Sequence, residues 1–199
     1  MIRTIFILIL ALMPQIGMTA EKFPEPFGLT WNMTETDLRG IGFSPATDDG
    51  DLSILTSVSA PKAWSKAESY FAVTYKGKLV KAGATSVNFT NDIYGSEGKA
   101  EFARLKALLT KKYGAPQSSY ERIGGKLYDE ADEFYQCLEY AGCGAYLATF
   151  EMVGGLIGLQ LEGKRRGEGY IRLLYESPEF SIAKAKIEQG NLSSDEDSL

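Results

Sequence analysis

The strongest constraint on the fold is a run of strict apolar alternation in the last third of the chain. Ile157, Leu159 and Leu161 fall on one side of an extended segment, and Ile171, Leu173 and Tyr175 fall on one side of another. That period of two predicts strands with one buried face. Three strands follow in a meander: Tyr146–Val153, Leu156–Glu162 and Gly169–Glu176. Gly154-Gly155 turns the first pair, and the Gly163 to Gly167 stretch (GKRRG) turns the second. Upstream, Tyr70 to Tyr75 alternates with Phe71, Val73 and Tyr75 on one side. Lys76-Gly77-Lys78 is a hairpin turn, and a strand resumes from Leu79 to Phe89 with a bulge expected at Gly83. Leu52 to Val58 reads as one further strand and Phe27 to Trp31 as a short one, with a turn over Thr47–Asp51.

Helices are expected between these strands. Thr34 starts a short one, with Asp37 completing a capping box and Gly40 or Gly42 ending it. Pro61 to Ser69 holds one helical turn around Trp64. The strongest helix spans Glu97 to Tyr113, where Phe102, Leu105, Leu109 and Tyr113 recur at spacings of three and four. Lys111 and Lys112 suit its negative end, and Gly114 and Pro116 close it. A helix is expected over Asp129 to Glu139 with Phe134 and Leu138 inward. A last one is capped by Ser177, has Pro178 at its first position and is ended by Gly190. The pattern predicts an α+β protein: antiparallel strands with helices packed on one face. Strand-strand-helix order appears twice, around residues 70–113 and 156–190, so two similar halves are one reading of the architecture, although their sequences do not match.

The first twenty residues stand outside this pattern. Arg3 precedes an apolar run from Ile5 to Met13, Pro14 breaks it, and small residues follow at Gly17, Thr19 and Ala20. This order is that of a secretory signal peptide, cleaved after Ala20. The run is roughly half the length of a membrane-spanning helix. The expected organisation is therefore a signal peptide at 1–20, one α+β domain at 21–190, and a disordered acidic tail at 191–199 (NLSSDEDSL). The expected location is the periplasm or beyond, with no transmembrane segment in the mature chain.

Composition restricts the chemistry. There is no histidine, which removes Ser-His-Asp and Cys-His nucleophilic sites and the common zinc motifs. Neither GxGxxG nor GxxxxGK[ST] occurs. No cofactor or metal is implied. The chain has 21 basic and 26 acidic side chains, and losing the leader removes one more cation. That balance argues against nucleic acid as a partner. A non-enzymatic role is favoured.

The only two cysteines are Cys137 and Cys143. Six residues rise about 9 Å in a helix and roughly 20 Å in a strand, whereas bridged Cα atoms lie about 4.4–6.8 Å apart. A disulfide therefore needs a turn between them, and Ala141-Gly142 supplies one. Export permits the bond. Asp129 to Glu133 (DEADE) is the densest acidic cluster, and a first helical turn explains it better than calcium or paired catalytic carboxylates. Asp48, Asp49 and Asp51 fit an exposed turn. Lys164, Arg165 and Arg166 are the candidate surface for an anionic polymer or lipid head group, set against the plainer reading of a solvated hairpin tip. Trp31, Trp64 and the eleven tyrosines fit a core first and a sugar surface second. Asn32, Asn88 and Asn191 lie in N-x-[ST] sequons.

Three stretches carry a resemblance. Phe27-Gly28-Leu29-Thr30-Trp31-Asn32-Met33-Thr34 is similar to an F-G-L-x-W-G-x-[ST] motif, with Asn32 in place of glycine. Leu108 to Pro116 (LLTKKYGAP) resembles an L-x-x-K-Y-G-x-P helix end, and Gly169 to Ser177 a G-x-[IL]-x-L-x-Y-E-S strand. Together they resemble small exported bacterial proteins of unknown function, which implies an envelope location and transfers no catalytic residue. Thr34 to Pro45 is also faintly similar to a helix of envelope-assembly and protease-inhibitor-type modules, which implies partner binding. Two functions remain open: a binder of a protein or envelope polymer through an exposed sheet face or hairpin loops, and a carboxylate-dependent hydrolase of cell-wall sugars. The second needs two acids about 5–9.5 Å apart in a cleft.

Overall fold

The computed structural model describes residues 22–49, 51–124 and 127–198. The expected leader, 1–20, lies outside them. The described residues form four α-helices and eight strands: α1 (Glu35–Gly40), β1 (Ser44–Asp49), β2 (Leu52–Ser57), β3 (Ala67–Tyr75), β4 (Lys78–Ser86), α2 (Ser96–Tyr113), β5 (Ser118–Arg122), α3 (Phe134–Glu139), β6 (Ala145–Met152), β7 (Gly155–Arg165), β8 (Glu168–Glu176) and α4 (Pro178–Ser198). The strands form one antiparallel sheet in the order β1-β2-β3-β4-β8-β7-β6-β5. The chain is α+β, with helices packed against that sheet. Two four-stranded meanders meet at the β4–β8 seam, the second inverted relative to the first.

Register explains which residues are buried. Leu55, Ala72 and Ala82 pair across β2, β3 and β4. Ala82 then lies opposite Tyr175, and Tyr175 opposite Ile157. Leu173, Leu159 and Ala148 make the next row. All are buried, and α2 adds Phe102, Leu105 and Leu109 to this core, as its spacing predicted. In β3 the buried row is Tyr70, Ala72 and Thr74. On the other face Val73 is also buried, while Phe71 and Tyr75 stay half-buried. Phe27 reaches in from the N-terminal segment to the core side of this strand, its ring 5.2 Å from Tyr70 and 5.9 Å from Tyr175.

The helix starts follow their caps. Thr34 Oγ1 accepts from the Asp37 N–H at 3.2 Å, and Asp37 Oδ2 accepts from the Thr34 N–H at 2.8 Å, which is the expected capping box. These bonds from Thr34 hold the Asp37 carboxyl below its ordinary value. A six-residue helix is too short to persist alone, and buried Leu38 anchors it. Glu35 Oε1 accepts from the Thr74 hydroxyl at 2.8 Å, tying α1 to β3.

Several elements differ from expectation. Thr47 to Asp49 belongs to β1 rather than to a turn, and β5 is a strand that the pattern did not reveal. Both are edge strands, so neither needs an apolar face, and all five residues of β5 are exposed. Phe27 to Trp31 folds into turns, with the Leu29 N–H on Pro26 O and the Met33 N–H on Thr30 O. Pro61 to Ser69 makes turns and the first part of β3 rather than a helical turn. The register shift in β4 falls opposite Val73/Thr74 rather than at Gly83. Gly83 pairs regularly, and a Cβ there would lie 2.2 Å from the Phe71 ring. The expected helix over Asp129–Glu139 is a 3₁₀ turn at Ala131–Glu133 followed by α3. The last helix does not stop at Gly190. It continues to Ser198 through the segment expected to be disordered, since one glycine costs only about 1 kcal/mol in a helix. Among its described side chains Ala183 is buried, and Pro178, Phe180 and Ile187 are part-covered. No helix among the described residues is long and apolar enough to cross a membrane.

Candidate functional site

The two cysteines form a disulfide, with Cα atoms 5.2 Å apart. The turn that this requires is where the sequence placed it. Helix α3 ends with the Tyr140 N–H on Gln136 O, the Cys143 N–H returns to Tyr140 O, and Gly142 takes a positive φ of 85°. The acids singled out in the sequence make local contacts. Glu130 and Glu133 cap the 3₁₀ turn reciprocally. Asp132 pairs with Arg166. Asp51 lies 3.5 Å from Lys76 and raises its ammonium above the ordinary value. No group of three or more His, Cys, Asp or Glu side chains among the described residues is placed to hold a metal.

The Lys164-Arg165-Arg166 tip is built by close packing. A Cβ on Gly163 would lie 1.8 Å from the Tyr135 carbonyl oxygen, so only glycine lets β7 run this tightly along α3. All three cations meet acids. Arg165 pairs with Glu168, Lys164 lies 4.0 Å from the same carboxylate and 3.4 Å from Asn88 Oδ1, and Arg166 pairs with Asp132. Two carboxylates thus offset three cations, and the tip presents little net charge. Beneath it, the Tyr135 hydroxyl donates to Asp92 Oδ2 at 2.8 Å, and the Gly98 N–H donates to the same oxygen at 3.0 Å. Burial and then Asp92 push the Tyr135 hydroxyl far up. This buried network fixes the start of α2.

A roomier opening lies elsewhere. A cleft of about 1050 Å³ is lined by Lys22 and Glu25 of the N-terminal arm, Thr30, Trp31 and Asn32, the Tyr75 to Val80 hairpin, and Glu179 of α4. The FGLTWNMT stretch builds one side of it. Phe27 and Leu29 anchor in the core, which leaves Thr30, Trp31 and Asn32 at the opening. The Trp31 ring is held in place: its Nε1–H donates to Pro24 O at 3.0 Å, and it packs 5.6 Å from Phe23. Thr30 Oγ1 donates to Asn32 Oδ1 at 2.6 Å. Lys22 pairs with Glu25 at 2.5 Å, while Lys78 and Glu179 form no ion pair among the described residues. Trp31 and Asn32 stood out in the sequence. Tyr75 did so only as one of eleven tyrosines, and Lys78 and Glu179 did not, because only the fold brings their segments together.

A smaller hollow of about 500 Å³ contains Glu151, Leu156, Glu176 and Ser177. Glu151 pairs with Leu156, and Leu156 with Glu176, so the two acids stand two strands apart on one face. Lys81 holds Glu176 at 2.7 Å across the seam. No protein-family model, curated protein or solved structure matches the chain.

Proposed function

We propose that this protein is exported to the bacterial envelope and acts without catalysis, by binding a partner in the cleft between the N-terminal arm, the β3–β4 hairpin and α4. The signal-like leader and the disulfide support the location. One observation supports the mode of action: a roomy cleft whose lining combines two part-covered aromatic rings with polar groups of both charges. Pockets with a few placed polar groups beside aromatic walls are the usual form of a binding site. The Lys164–Arg166 tip is the weaker surface, since its charge is largely compensated internally.

Site-specific photocrosslinking in growing cells tests this. A photoreactive residue replacing Lys78 is expected to give a discrete adduct, and one replacing Arg166 to give none. Adducts from position 166 alone would move the surface to the hairpin tip. The absence of adducts from both positions would defeat the binding reading. The hydrolase alternative keeps one specific support, the pair Glu151 and Glu176. Strands two apart set their backbones about 10 Å apart, near the upper range for an inverting carboxyl pair. Release of reducing ends from purified cell-wall glycan, lost in Glu151→Gln, would favour it. No release by the unmodified protein would end it.

A further inference from the structure

Taking that cleft as the binding site, we propose that its ligand is a short, uncharged oligosaccharide. Four features of the lining lead to this chemistry.

The rings come first. Trp31 and Tyr75 both line the cleft and both remain part-exposed. Trp31 cannot swing away, because its Nε1–H is committed to Pro24 O and its ring packs on Phe23. A fixed ring with an accessible face is a platform for the C–H face of a pyranose, which is apolar on one side and hydroxylated at its rim.

Neutral hydrogen-bonding groups sit beside the rings. The Thr30 hydroxyl uses its proton on Asn32 Oδ1. This leaves the Asn32 amide N–H groups as donors and the Thr30 oxygen as an acceptor, a combination suited to hydroxyls, which both donate and accept.

The charges argue by what they reject. Lys22 and Glu25 neutralise each other, and Lys76 is paired with Asp51. Lys78 and Glu179 remain, one of each sign. A polyanion would be brought against Glu25 and Glu179, and a cation against three lysines. A net-neutral ligand meets neither penalty, and its hydroxyls can use both groups.

The apolar floor is small. Of the aliphatic lining only Leu79 and Val80 are present, and each is almost fully covered. An amphipathic peptide helix needs a continuous apolar stripe several residues long, and this floor does not provide one.

The test uses the mature chain beginning at Glu21, titrated separately with a tetramer of N-acetylglucosamine and a tetramer of glucose. Tryptophan fluorescence and calorimetry are the readouts. Saturable binding of at least one tetramer is expected, with at least a tenfold loss in Tyr75→Ala and a severalfold loss in Lys78→Ala. Lys78 and Glu179 are exposed, so Lys78→Ala and Glu179→Gln should keep the fold even if Tyr75→Ala does not, and circular dichroism checks each. No saturation by either tetramer up to about 5 mM overturns the inference. So does binding that is unchanged in both Lys78→Ala and Glu179→Gln. A protein adduct from position 78 without sugar binding leaves the cleft a binding site but removes the saccharide. Failure of both experiments removes the cleft.

Discussion

Glu101 is the most heavily committed charge among the described residues. Its side chain is only 3% exposed and sits between Arg104, at 2.9 Å from Nε and 2.6 Å from Nη2, and Lys66, at 3.1 Å. The Arg104 hydrogen bonds, with help from Lys66, hold its carboxyl below the usual range against the opposing effect of burial. The folded-state value therefore lies below the unfolded one. The ionised group stabilises the fold at neutral pH, and that contribution is lost as pH falls through the folded-state value. Glu101→Gln should cost about 1.5–3 kcal/mol at pH 7, and the gap to the unmodified protein should narrow as pH falls below the ordinary glutamate value of about 4.3 towards the lower folded-state value. Urea unfolding at pH 7 and pH 3.5 measures both. A gap as wide at pH 3.5 as at pH 7 would assign the loss to packing instead. The sequence shows Glu101 and Arg104 as an ordinary pair three apart on a helix. It cannot show Lys66, which another element delivers from far along the chain.

Elements were legible where burial forced a pattern on them. The β6–β7–β8 meander, the β3–β4 hairpin and α2 each carry alternation or a helical stripe, and each appears close to its expected bounds. The described side chains of edge strands β1 and β5 form no buried face, so selection for apolar residues leaves no trace in them. The same logic applies to the candidate site. Trp31 and Asn32 belong to a compact motif, whereas Tyr75, Lys78 and Glu179 converge only through the sheet order. The β7–β8 hairpin also owes its position to a contact that the turn chemistry alone does not disclose. Gly163 faces the α3 backbone with no room for a Cβ, but a Cβ on Gly40 would meet nothing within 4 Å. Gly163→Ala should lose about 1–3 kcal/mol or more through overpacking, and Gly40→Ala should gain about 0.4–1 kcal/mol. Thermal melts of the two variants supply the comparison. Equal melting temperatures would show that β7 is not pressed on α3.

At the scale of the whole molecule, the sheet order turns the expected pair of similar halves into two meanders that share a seam. The seam is reinforced by the Lys81–Glu176 pair at 2.7 Å, in register across β4 and β8. Two buried clusters lie on the two sides of it. One draws on α2, α3 and β6–β8, the other on α1 and β2–β4. Phe27, Trp31 and Trp64 pack against both clusters. Glu101 of α2 reaches Lys66 at the edge of β3, which adds an ionic tie between the halves. Separate unfolding of either half would strip cover from these shared aromatic rings and break the ladder through the middle of the sheet. The two clusters should therefore unfold as one cooperative unit. Both tryptophans of the chain sit where the clusters join, so their fluorescence reports on the junction, while far-ultraviolet circular dichroism reports on the sheet and helices as a whole. The two signals are expected to share one urea midpoint and one slope. A tryptophan transition that precedes the loss of secondary structure would mean that the halves come apart before either unfolds.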